Sequence, residues 1–307
     1  MKKVLVATVK PFAPKAVEEI KSIFNNAGYE LVILEAYKDN EEFLKAVEDV
    51  DALIVRSDKV TKEVIDRAKN LKIVVRAGAG FDNIDIKYAK EKNIVVMNTP
   101  GQNANAVAEL VFGMMIYIAR RKFAGKSGTE LRGKTVGIHA FGNVGKNVAQ
   151  IAKGFGMNVL AYDPFIDQNF IKENGATPME NVEDMYKNSD YISLHLPKLP
   201  ATIGSINYKL MSLMKEGGTL VNTARKEVVN EDDLKKIFAD RKDFKYVSDV
   251  APDCKDYLME NYGERCFFTP KKMGAQTLEA NVNAGSAAAK QIVNFFEKGD
   301  ITFQVNK

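Results

Sequence analysis

The 307-residue sequence is poor in the side chains that build metal centres and covalent crosslinks, having two histidines and two cysteines. With His139 and His195 the only imidazoles, a multi-histidine metal site is excluded, and no metal is expected. Cys254 and Cys266 lack metal-ligand spacing, and so few thiols suit a reducing compartment, so a cytoplasmic protein is expected. Long apolar runs are also missing. The longest, "AVAELVFGMMIYIA" from Ala106, is interrupted by Glu109 and stopped by Arg120 and Arg121, well short of a membrane span. The opening "MKKVLVATVK" places basic residues before an apolar run that is too short for a signal peptide and alternates like a strand. No excess of one charge exists either: 44 Lys and Arg face 40 Asp and Glu, interspersed along the chain. That balance gives no case for nucleic acid or a membrane surface, while leaving room for a small anionic ligand.

What is present is a repeated alternation. Short β-branched runs, "VLVATV", "LVILEA", "ALIVRS", "KIVVRAG" and "NIVVMN", are separated by helical stretches in the first hundred residues. A second series begins at "KTVGIHAFG" and continues through "NVLAYD", "DYISLHLP", "GGTLVNT", "KYVSDV" and "CFFTP". Strand–helix alternation implies parallel sheets with right-handed crossovers, so the expected fold class is α/β with two doubly wound parallel-sheet domains. Long amphipathic segments at 104–121 and 275–296 read as helices crossing between them. The expected division is residues 1–98 with 285–307 as one discontinuous domain, and 99–284 as the other.

In "GKTVGIHAFGNVGKNVAQIAK", Gly142 and Gly145 fall in a strand-to-helix turn, where free backbone amides and the positive end of a helix can receive a pyrophosphate. The usual first glycine of such a turn is Ala140 here. Eighteen residues past Gly145, "VLAYDP" ends a strand in Asp163, whose carboxylate can accept both ribose hydroxyls of an adenosine and would repel a 2′-phosphate. The cofactor expected is therefore NAD rather than NADP. His139, inside the first strand of this unit, reads as a hydrogen-bonded core residue.

The ordered motifs "RAGAGFDNID", "NTPGQNANAVAEL", "GTELRGKTVGI", "FGMNVLAYDP", "YISLHLP" and "LVNTAR" resemble the D-2-hydroxyacid dehydrogenases over nearly the whole chain. Within that family the wording is nearest to phosphoglycerate dehydrogenases in their short form, without regulatory domains. The resemblance implies two Rossmann-like domains with the active site in the cleft between them, a homodimer, and hydride transfer at C2 of a 2-hydroxy acid. It assigns Arg225 to the substrate carboxylate and the C2 oxygen, a role suited to a planar, permanently charged fork. Gly78, Ala79 and Gly80 match the loop whose amides also hold that carboxylate, and Arg56, Ser57 and Asn103 fall where relatives contact the distal end of the substrate. For the cofactor the resemblance implies Gly142, Asn143, Val144 and Gly145 in the turn, and Asp163 and Pro164 beyond it. It adds His195 and Pro197, Thr223 and Ala224, Asp249 for the nicotinamide amide, and Gly274 and Ala275. His195 fits packing better than chemistry.

One stretch departs from the family pattern. Relatives carry Thr-Pro-His-x-Gly, with the histidine as acid/base and a supporting glutamate five residues after the aspartate; here "TPKKMGAQT" has no histidine, and that glutamate position is Cys254. A subset of short phosphoglycerate dehydrogenases resembles this chain in having lysine there. Anchored on the "MGA" helix start the replacement is Lys272; anchored on "TP" it is Lys271, and Lys272 is favoured. An unperturbed ammonium, with pKa about 10.4, is a poor base at neutral pH, so burial in the cleft and the Arg225 charge are expected to lower it.

The expected activity is NAD-dependent oxidation of D-3-phosphoglycerate to 3-phosphohydroxypyruvate, within serine synthesis. Arg56, Lys59, Lys226 and Lys10, in falling order, are the candidate phosphate cations. A glyoxylate or hydroxypyruvate reductase is the nearest alternative, and a catalytically weak NAD-binding sensor resembling corepressor relatives is the alternative of another class.

Overall fold

A computed structural model describes all 307 residues. The chain forms two compact units, Met1–Asn103 with Thr277–Lys307, and Ala104–Gln276. The first unit holds a sheet of β1 (Lys3–Thr8), β2 (Glu30–Glu35), β3 (Ala52–Val55), β4 (Ile73–Arg76) and β5 (Val95–Asn98), in the order β2-β1-β3-β4-β5, all parallel. The second holds β6 (Thr135–His139), β7 (Asn158–Tyr162), β8 (Thr177–Pro178), β9 (Tyr191–Leu194), β10 (Thr219–Asn222), β11 (Lys245–Ser248) and β12 (Cys266–Phe268). Their order is β12-β11-β10-β9-β6-β7-β8, again all parallel. Each is a doubly wound α/β sheet, as the alternation of segments implied.

The apolar runs are continuous because both faces of each sheet are covered. In the first unit Leu5, Ala7, Leu53, Val55 and Val74 face one core, with Phe43, Val64 and Ala89 from three short helices. Val4, Val6, Ala52, Ile54 and Ile73 face the other, which is closed by Ala16, Ile20 and Phe24 of the helix Pro14–Asn26 and by Ala284, Ala288 and Ile292 of the helix Leu278–Lys298. In the second unit one core gathers Val136, Ile138 and Val159 with Val111, Met115 and Val148 from two helices. The other gathers Ile192, Leu220 and Tyr246 with Met211, Leu234 and Phe238.

Several boundaries differ from the sequence expectation. The helix Leu278–Lys298 starts after its cap, Thr277, whose hydroxyl accepts the Ala280 amide, and it packs on the first unit throughout. The division therefore falls at 277 rather than 285, and at 103 rather than 98. The earlier long helix stops at Ala119, because Arg121, Lys122 and Phe123 adopt φ of 49°, 57° and 57° and reverse the handedness of the chain. β8 was not foreseen; two residues, one of them proline, carry no pattern. No helix is long and apolar enough to cross a membrane.

Parallel doubly wound sheets leave a crevice at the carboxyl ends of their strands where the order of connection reverses. That point lies between β1 and β3 in the first unit and between β6 and β9 in the second.

Candidate active site

At the reversal point of the second unit, the turn after β6 enters the helix Asn143–Gly154, capped by Gly142, whose backbone offers no side chain to the first amides. A Cβ on Gly142 would meet nothing within 4 Å, so the mouth of the turn is open, whereas one on Gly145 would stand 2.6 Å from the Ala140 carbonyl oxygen. Gly145 thus lets the helix close on the strand. Ala140 adopts φ 78°, the left-handed conformation that glycine occupies without strain, so its methyl is carried at a cost. Asn143 and Val144 form the first turn of this helix.

Asp163, at the end of β7, braces this region. Its Oδ2 accepts the Phe141 amide at 2.8 Å and its Oδ1 accepts the Phe165 amide at 2.9 Å. A carboxylate has about four lone-pair sites, so each oxygen can still accept a ribose hydroxyl. Phe165, just past Pro164, is 92% exposed. After β10, Thr223 is buried with its hydroxyl lacking any partner in the chain, an orphan that a ligand group can satisfy. An open glycine-capped turn, an acceptor at the next strand end and an orphaned hydroxyl suit a dinucleotide.

His195 follows β9; its amide donates to the His139 carbonyl at 2.9 Å and its Nε2 shares a 2.9 Å hydrogen bond with the Ser193 hydroxyl. The surrounding protein and His139 push its pKa down to about 3, which keeps the ring neutral. Pro197 beyond it is exposed. Buried His139 sits edge-on to Tyr162 and Tyr186, and burial pushes it down to about 4. Both rings are held neutral by their surroundings.

Arg225 projects from the turn after β10, which Asn222 shapes: its Oδ1 accepts the Ala224 amide and its Nδ2 donates to the Arg225 carbonyl. Asn222 is fully buried and was not singled out from the sequence. Next to Arg225, Lys226 pairs with Asp253, and Asp253 and Cys254 donate their amides to the Glu231 carboxylate at 2.8 Å each. Lys226 is therefore not an uncommitted phosphate cation. Cys254 cannot stand in for the family glutamate: burial and Glu231 push its thiol up to about 12, leaving it neutral.

The segment 269–274 is held by Asp249, which is 1% exposed. Its Oδ1 accepts the Thr269 hydroxyl at 2.9 Å and the Met273 amide at 2.6 Å, and its Oδ2 accepts the Gly274 amide at 2.8 Å. Where the sequence reading gave Asp249 a cofactor contact, the carboxylate holds its own chain. Gly274 and Ala275 precede the helix instead of starting it, because the chain folds back on Asp249 before reaching its cap at Thr277. Lys271 and Lys272 are both exposed.

In the first unit, Arg56, Ser57 and the 76–80 loop stand at the ends of β3 and β4. Arg56 donates to the Lys10 and Pro11 carbonyls at 2.9 and 2.8 Å and lies over the Phe12 ring at 5.0 Å. Arg76 donates from Nε to the Arg56 carbonyl at 2.8 Å, so two guanidinium side chains start from adjacent strand ends. Arg76 was missed from the sequence; a cation ending the apolar strand "IVVR" was its signal. Gly78, at φ 149°, makes room for it, since a Cβ there would collide with the Arg76 guanidinium. Asn98 donates to the Ala79 carbonyl at 2.6 Å and fixes the turn through Gly80. Ser57, Lys59 and the Lys10 side chain are exposed, and Asn103 is half-buried at the unit's edge.

The family model for the D-isomer specific 2-hydroxyacid dehydrogenase, NAD binding domain, matches residues 90–260. The chain belongs to the D-2-hydroxyacid dehydrogenases. It is 47% identical to a crystallised NAD+-bound 3-phosphoglycerate dehydrogenase of Entamoeba histolytica, with a TM-score of 0.91, covering 100% of this chain and 99% of that one. Among curated relatives, the hydroxypyruvate reductase of Thermotoga maritima is 38% identical over 285 residues, covering 86% of this chain and 90% of that protein. The D-3-phosphoglycerate dehydrogenase of Methanocaldococcus jannaschii is 36% identical over 271 residues, 82% of this chain and 51% of that protein. The chain spans about half the length of the curated phosphoglycerate dehydrogenases it matches. As a D-2-hydroxyacid dehydrogenase, it uses NAD as its cofactor.

Proposed function

We propose that this dehydrogenase oxidises D-3-phosphoglycerate to 3-phosphohydroxypyruvate, with Arg225 and Lys272 as its catalytic residues. NAD, when bound, accepts the hydride from C2. Arg225 grips the substrate carboxylate and polarises the C2 oxygen; the permanent charge of a guanidinium keeps this grip at any working pH. The Gly78–Gly80 backbone supports the same carboxylate. Lys272, as the neutral amine, takes the hydroxyl proton; as the ammonium, it returns it in the reverse direction. The register of its loop favours it over Lys271, because Lys272 directly precedes the two amides that Asp249 holds.

The observation that supports the substrate assignment is the pair of arginines at adjacent strand ends, Arg56 after β3 beside the switch point and Arg76 at the end of β4, whose Nε donates to the Arg56 carbonyl. An unphosphorylated three-carbon acid has no second anion to use them. A reductase of hydroxypyruvate or glyoxylate is the second reading, favoured by the 38% identity to the Thermotoga reductase over nearly its full length. Turnover read by nicotinamide absorbance, with phosphorylated and unphosphorylated acids in both directions, decides between them. We expect kcat/KM at least about tenfold higher for the phosphorylated pair, since one missing charge-assisted contact is worth that much. Preference for hydroxypyruvate would overturn the assignment, and tight NAD binding without turnover would leave a nucleotide sensor.

A further inference from the structure

Four connections of the first unit meet at one residue. Asp58 is 6% exposed, and its Oδ1 accepts the Val9 amide at 2.7 Å and the Tyr37 hydroxyl at 2.8 Å. Its carbonyl accepts Nδ2 of Asn83 at 2.7 Å. The loops after β1, β2, β3 and β4 are thereby tied together at the carboxyl ends of their strands. The other oxygen, Oδ2, is buried without a partner. Such a half-satisfied buried carboxylate is a burden to the fold, and one retained beside a binding crevice calls for a reason.

The reason lies two residues earlier. The guanidinium of Arg56 is aimed by the segment after β1: it donates to the carbonyls of Lys10 and Pro11 and rests on Phe12. That segment has three tethers, the Val9 amide on Asp58, the Thr8 hydroxyl on the Lys10 carbonyl at 2.7 Å, and the Phe12 amide on Glu35 at 2.9 Å. Asp58 supplies the tether nearest its start. Burial works against the Arg56 charge and lowers its pKa, and the Asp58 and Glu35 carboxylates offset part of that. From these contacts we propose that Asp58 is a positioning residue that sets the place of the Arg56 guanidinium, and so determines how strongly the enzyme prefers a substrate with a second anionic group. The inference rests on the reading that Arg56 meets the far end of the substrate, and it adds a residue that touches no substrate.

Asp58→Ala cuts the tether, while Asp58→Asn keeps an acceptor oxygen for Val9 and Tyr37 and removes only the charge. KM and kcat are measured with 3-phosphohydroxypyruvate and with hydroxypyruvate, alongside Arg56→Ala. Asp58→Ala should raise KM about tenfold for the phosphorylated acid with kcat changed less than twofold, leave KM for hydroxypyruvate within twofold, and be rescued by Asp58→Asn. A fall for both substrates together, or no change for either, would overturn the inference. If Arg56→Ala spares the phosphorylated substrate, the reading of Arg56 fails and the inference with it; if Arg56→Ala is damaging and Asp58→Ala is not, the inference alone fails. Should Asp58→Ala not fold, Asp58→Ser, which is also too short to hold Val9, takes its place with the same expected outcome.

Discussion

The Asp249 carboxylate holds the amides of Met273 and Gly274, directly after Lys272. The tether is short-range in space and long-range in sequence, and it gives the lysine loop a fixed register against β11. Removing the carboxylate leaves the Met273 and Gly274 amides without their acceptor, while the Thr269 hydroxyl keeps the Asp249 carbonyl at 2.9 Å. Asp249→Ala should therefore cost about 2–4 kcal/mol of stability by urea unfolding and lower kcat more than it raises KM for NAD. An NAD affinity loss with kcat intact would return Asp249 to the role of cofactor contact.

Lys272→Ala should lower kcat by about 10²–10⁴-fold, the usual range for a general base, with Lys271→Ala within about threefold of the parent. Single-turnover nicotinamide absorbance isolates the chemical step. Equal damage from both changes would mean that the loop charge matters and no single amine does.

Ala140 carries its methyl at φ 78° in the nucleotide turn. Ala140→Gly should raise stability by roughly 0.5–1 kcal/mol, the left-handed strain outweighing the added freedom of glycine in the unfolded chain. A lower urea midpoint in the variant would show that the turn tolerates the methyl without strain.

His139 couples stability to acid. Its folded pKa, about 4, lies below the unfolded value of about 6.5, so its contribution is present above pH 6.5 and is lost as pH falls through 4. The loss is on the order of 3 kcal/mol. Urea midpoints between pH 7.5 and 4 should drop less in His139→Gln than in the parent; parallel curves would count against a buried neutral ring.

Strands were legible because sheets covered on both faces leave β-branched runs without polar interruption, as in Val4–Ala7 and Leu53–Val55. The nucleotide turn was legible for the same reason: its glycines sit between two such runs. The tethers were not. Asp58 reaches Val9 across 49 positions and Asp249 reaches Gly274 across 25, and a side chain that serves a distant amide leaves no local pattern. The absence of a histidine from "TPKKMG" could be read directly, while the exposure of its lysines and the start of the next helix depended on how the chain folds back.

The helix Leu278–Lys298 closes a core otherwise built by the first hundred residues. During synthesis the whole second unit emerges before that helix does, so Val4, Val6 and Phe12 wait with one side uncovered. The nascent amino-terminal sheet is the stage at which this chain is open to aggregation and to chaperone capture.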